Sequence, residues 1–122
     1  MTMTVCETLP LCRDTSLTEA TPTSLTEPIE VGPYQEGIVF VKAADVTGDA
    51  VASVKVAISP TGYEDWSEHW VVSETRSIDE VGMHSIELTN FGNWLRVQFD
   101  LTTSSDNSDG EVTFIAWFVG KG

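Results

Sequence analysis

From Gly37 onward, the apolar residues fall into short runs that alternate with polar ones and are separated by Gly, Asp, Asn and Ser. This is the pattern of an all-β domain. The first run is "GIVFVKAA" (37–44), closed by a turn at "DVTGDA", and the second is "VASVKVAIS" (51–59), which places Val54, Val56 and Ile58 on one face. "PTGYEDWSEH" (60–69) reads as a loop, and a short run from His69 to Ser73 puts Trp70 and Val72 together. "SETRSIDEVG" has no period and reads as a loop with at most one helical turn. "MHSIELT" (83–89) turns Ile86 and Leu88 inward. "NWLRVQFDL" (93–101) sets Leu95, Val97, Phe99 and Leu101 against Trp94, Arg96, Gln98 and Asp100. After the polar stretch "TTSSDNSDGE", "VTFIAWFVG" (112–120) closes the pattern. Six or seven strands in about 85 residues predict a small antiparallel β-sandwich of jelly-roll or immunoglobulin-like type.

Two of these strands are apolar on both faces. Val112, Phe114, Ala116 and Phe118 lie on one side of the last strand, with Thr113, Ile115, Trp117 and Val119 on the other. The first strand likewise carries Ile38 and Phe40 on one side and Val39 and Val41 on the other. A sandwich sheet ordinarily shows one face to water, so a second apolar face needs a cover. A loop of the same chain could supply it, and so could another subunit.

Residues 1–36 differ in kind. They hold four of the five prolines, are rich in Thr, and repeat Ser-Leu-Thr-Glu at 16–19 and 24–27. With one Leu per repeat, such a segment cannot offset the roughly 1–2 kcal/mol per residue that ordering its backbone costs. The expected organisation is therefore an extended N-terminal arm (1–36) and a β-sandwich domain (37–122), the arm being able to reach about 120 Å and lie on neighbouring subunits. The competing reading folds the arm back as an edge strand, with residues 29–34 the natural candidate. On the first reading the arm's Leu17, Leu25, Ile29 and Val31 join Val39, Val41, Ile115 and Trp117 as interface residues.

Nineteen acidic residues against six basic ones give a net charge of −13 over 122 residues. That sign is wrong for gripping phosphates, so no nucleic-acid partner is expected. No apolar run approaches the roughly 20 residues of a membrane span, and the start "MTMTVCETLP" has no signal-peptide pattern. The expectation is a soluble chain made in the cytoplasm, with no membrane partner. Cys6 and Cys12 would stand about 20 Å apart in an extended segment, against the 7 Å or less that a disulfide tolerates, and could bridge only across a turn at Leu9-Pro10.

The chemistry-bearing stretch is "GYEDWSEHW", where Tyr63, Trp66 and Trp70 stand among Glu64, Asp65, Glu68 and His69. Exposed, these rings would form a glycan-stacking platform; packed, Trp66 and Trp70 would cap the end of the sandwich, which is the expectation here. A Glu–His pair without a second cluster supplies neither nucleophile nor oxyanion donors, so no catalytic residues are assigned and no enzyme is expected. "DNSDGE" (106–111) departs from the calcium-loop pattern at Gly110 and reads as a hairpin loop. No cofactor and no metal are expected.

"VKVAISPTGYEDWSEHW" together with "VGMHSIELTNFGNWLRVQFDLTTSSDNSDGEVTFIAWFVGKG" resembles small β-sandwich virion structural proteins of tailed bacteriophages. In that pattern a strand ends in Ser-Pro-(Asp or Thr)-Gly and an aromatic loop follows. A hairpin then centres on Trp-hydrophobic-Arg-Val, and a last apolar strand ends in Gly-Lys. The resemblance covers about Val54 to Lys121 and departs from the pattern at "GYEDW", where relatives have a shorter step. It implies a structural component of a capsid or tail without catalysis. The expectation is a capsid decoration (cement) protein on the outer capsid surface of the virion, stabilising the phage head through its arm. Its partners would be the major capsid protein and copies of itself, a homo-oligomer for which a trimer is one option. A tail, collar or head-tail adaptor component and a carbohydrate-binding adhesin module at the tail are the alternatives.

Overall fold

The structure, a computed structural model, describes residues 6–18, 22–47, 51–62, 69–88, 92–102 and 110–122. Its strands are β1 (Cys6–Leu17), β2 (Thr23–Leu25), β3 (Ile29–Glu30), β4 (Glu36–Thr47), β5 (Val51–Ser59), β6 (Val71–Ile78), β7 (Gly82–Leu88), β8 (Trp94–Thr102) and β9 (Glu111–Lys121). They form two antiparallel sheets. Sheet A runs β1-β9-β4-β7, and sheet B runs β2-β8-β5-β6 with β3 also paired to β8. Along the chain each connection passes to the opposite sheet, except β2 to β3 and the β5–β6 pair. That alternation is the double Greek key of a jelly roll, not the order of an immunoglobulin sandwich.

The N-terminal segment is part of this sandwich, which corrects the expected division at residue 36. β1 pairs along nearly the whole of β9, from Cys6 opposite Lys121 to Leu17 opposite Val112. The line from Pro22 to Val31 then follows β8, with Leu101 N donating to Pro22 O at 2.7 Å and Val31 N to Asn93 O at 2.8 Å. A segment too polar to fold alone is thus ordered by the ladders of two pre-existing strands. Pro10 lies in β1 because that strand is an edge, where a missing N–H interrupts no second ladder. Two register shifts flank Cys12, and Asp14 takes φ 43°, a left-handed conformation that Asp tolerates. Cys6 opens this bulged strand opposite Lys121, and Cys12, a free thiol whose pKa burial pushes above its ordinary value, lies at its middle opposite Ala116.

The core lies between the sheets. Phe99 of β8 and Phe114 of β9 stack across it with ring centroids 4.7 Å apart, and Tyr34 meets Phe118 edge-on at 5.6 Å. Leu17, Val31, Val39 and Val41, expected at an interface, are all fully buried in this core. For Val39 and Val41 the reason is register: β4 is apolar on both faces, and pairing sets them opposite Phe118 and Ala116, leaving Ile38 and Phe40 outside. Leu17 stands opposite Val112, on the core side of β9. The bulge between β5 and β6 leaves the extra residue, Ser73, in β6, while β5 keeps its alternation against β8: Ile58 stands opposite Leu95, half-buried, and Ala57 opposite Arg96, buried on the outer side. The stretch read as loop after Ser73 is strand, since β6 runs on to the buried Ile78.

One buried hydroxyl ties the N-terminal segment to the core. Thr26 is 7% exposed; its N–H donates to Val97 O and its Oγ1 accepts from Val97 N, both at 2.9 Å. Thr26→Val keeps the shape and leaves the Val97 N–H buried without its acceptor. We expect a loss of about 1–3 kcal/mol, read as a lower urea midpoint at constant slope.

Candidate interaction surface

The outer faces of the two sheets differ. On sheet B the face is mixed: Asp100 accepts from Thr23 Oγ1 and Gln98 Nε2 and lies 3.5 Å from Lys55 Nζ, with Leu25 and Val72 exposed beside them. Lower on that face the chain covers itself. Trp70 is 8% exposed and Arg96, expected to face water, is 4% exposed with its guanidinium carbon 4.5 Å from the centre of the Trp70 ring. A buried indole stacked on a cation presents no open face to a sugar, so Trp70 leaves the glycan platform and instead covers Arg96 on the outer face of β8. Tyr63 and Trp66, with Glu64, Asp65 and Glu68, lie outside the described residues, as do 106–109 of the "DNSDGE" stretch. Nearby, Gly62 at φ 73° lies against the Trp94 ring, where a Cβ would come within 2.6 Å.

Sheet A presents a different character. Across its strands, the outward row Thr8–Val119–Ile38–Glu87 is followed by Pro10–Trp117–Phe40–Ser85 and then by Ile115–Lys42–Met83. Ile38, Phe40, Ile115, Trp117 and Val119 are half-buried by one another, and Met83 is 57% exposed. Thr8, Phe40, Met83, Trp117 and Val119 line a shallow, almost wholly apolar depression. A second one, beside Pro10 and Ile115, carries Arg13 and Asp14 at its rim. Among the described residues no segment of the chain lies over this face, in contrast to Trp70 on sheet B.

Of the eight expected interface residues, only Ile115 and Trp117 therefore belong to this surface. Leu25 is exposed on β2 at the other sheet, and Ile29 packs against the core from β3. Phe40, Ile38, Val119 and Met83 complete the patch. The two-sided pattern of the first and last strands already marked both of them as its source, and Glu36 and Lys42, in step with Ile38 and Phe40, were the sequence signal for which face of β4 is the outer one.

No family model matches this sequence, and no curated protein does. Among solved structures, the chain is similar to a crystal structure of PirA, with 8% identity, 100% of this chain and 95% of that one covered, and a TM-score of 0.46. It is also similar to a chain in the structure of infectious bursal disease virus, Gx strain, with 8% identity over 95% of this chain and a TM-score of 0.50. It spans about a third of that viral chain, with 32% covered. At such identity the likeness is one of fold: this small all-β sandwich has a counterpart within a virus structure.

Proposed function

We propose that this chain is a structural protein of a virion, and within that class a capsid decoration (cement) protein seated on the outer surface of a phage head. The observation that carries the reading is the apolar outer face of sheet A, over which no described segment lies. A monomeric soluble domain seldom leaves two central strands apolar on their solvent side, whereas the core of a subunit interface is apolar in this way. The likeness of fold to part of a virus structure supports the same class. The net charge of −13 favours an exterior position, because an acidic wall facing packaged DNA would be repelled by phosphate. The partners are the major capsid protein and further copies of this chain, and the role requires no cofactor, catalysis, nucleic acid or membrane.

The corrected N-terminus changes how such a protein would hold a shell. Strands β1 to β3 are spent inside the sandwich, so no 36-residue arm is left to run between coat subunits, and the contacts fall to the outside of the folded domain. Two measurements test the reading. Quantitative gels of purified particles should give a copy number on the scale of the coat protein itself, and purified protein should rebind shells stripped of it. A copy number matching a single ring would move the protein to the tail or neck. Absence from particles would end the virion reading.

A further inference from the structure

We infer that the outer face of sheet A is a self-contact, closed by a second copy of this chain around a two-fold axis. The inference deepens the structural reading above and rests on it for the claim that this face is covered at all. Three features select the occupant.

The first is charge. Three of the chain's six basic residues, Arg13, Lys42 and Lys121, project from this face or its rim, against five acidic ones, Asp14, Glu36, Asp45, Glu87 and Glu111. Among the described residues, seven further acidic side chains, Glu7, Glu27, Glu30, Glu74, Asp79, Glu80 and Asp100, stand away from it with only Lys55, Arg76 and the buried Arg96 to offset them. Two copies carrying −13 each can approach closely only where that excess is least, and this is such a face.

The second is the placement of the charges. Lys42 has Ile115 and Met83 as its cross-strand neighbours, both apolar, and Glu87 has Ile38. They stand on opposite sides of the Phe40–Trp117 row, Lys42 one row above it and Glu87 one row below. A two-fold axis lying across the strands at that row turns the upper row of one copy onto the lower row of the other. It brings each Lys42 over the row that carries its partner's Glu87, with the aromatic pair packed on itself between them. An isologous contact of this kind makes each favourable pair twice.

The third is size. Four strands about 4.8 Å apart and some nine residues long make a face of roughly 600 Å² in projection, close to the roughly 800 Å² per partner of a standard interface once side-chain relief is added. Two antiparallel sheets pack face to face at about −30°, the angle set by their twist.

Sedimentation velocity on the full chain, without particles, tests this. Wild type should form a dimer that tightens as salt rises from about 10 mM to 150 mM, because screening relieves the overall repulsion. Lys42→Glu and Glu87→Lys should each weaken the dimer roughly tenfold, and the double variant Lys42→Glu/Glu87→Lys should recover most of that loss. Circular dichroism on each variant confirms that the fold is intact; both positions are exposed, so it should be. A chain that stays monomeric at every concentration, or a double variant no better than the singles, overturns the self-contact. A monomer that still rebinds shells would leave the virion role standing and give this face to the coat protein. A dimer that behaves as expected but never joins particles would do the reverse.

Discussion

Deleting residues 1–28 should unfold this protein rather than free a sandwich of an appendage. The deletion removes β1 and β2 and with them the outer partner of β9 along almost its full length. It takes Leu17 out of the centre of the core, and truncating one such fully buried leucine already costs about 2–5 kcal/mol. It also removes Thr26, which accepts from the Val97 N–H, and leaves one side of β8 open. Set against a total stability of roughly 5–15 kcal/mol for a domain of this size, these losses together exceed what the rest can supply. The truncated chain should show no cooperative urea transition and no near-ultraviolet dichroism from its packed aromatics. A cooperative transition with an unchanged midpoint would mean that residues 1–28 are a separable arm after all.

The second large effect separates the two faces of one strand. Phe114 is fully buried and stacked on Phe99, so Phe114→Ala should cost the isolated fold about 3–5 kcal/mol. Trp117, three residues on and on the other face, sits half-buried among Phe40, Thr8 and Val119 with no core partner to lose. Trp117→Ala should change the unfolding free energy by no more than about 1 kcal/mol while removing most of the association, since a central indole is the usual anchor of an interface. Chemical unfolding reads the first quantity and sedimentation the second. Equal losses of stability in the two variants would place Trp117 in the core of the fold.

The contrast between these two residues also shows what alternation can and cannot tell. In β9, Val112, Phe114, Ala116 and Phe118 are the larger and more continuous apolar set, and they face the core as their pattern predicts. Ile86 and Leu88 in β7 and Leu95, Val97 and Phe99 in β8 follow the same rule. In β4 Ile38 and Phe40 are as apolar as Val39 and Val41, and only Glu36 and Lys42 on their side mark it as the outer face; the register with β9 sets Val39 and Val41 inward. The N-terminal segment was misjudged for a related reason. Low apolar content in residues 16–28 speaks against their folding alone, but an edge strand needs only a neighbour with unpaired backbone groups and an occasional anchor such as Leu17 or Val31. Arg96 defeated alternation differently: it is on the outer face of β8 as expected, and is buried because Trp70 folds over it. The apolar outer face of sheet A was legible as two strands apolar on both sides. Which residues shape it, and that Lys42 and Glu87 flank its aromatic row, required the register.

Hydroxyl-radical footprinting of the assembled protein against the dilute chain tests most directly whether that face is covered. Met83 and Trp117 react readily with the radical, and Met83 is 57% exposed in the single chain. Assembly should protect both several-fold while Leu25, 47% exposed on the opposite sheet, labels at the same rate in either state. Equal labelling of Met83 and Trp117 in the free and the assembled protein would contradict the account, because the apolar face of sheet A would then remain in water throughout.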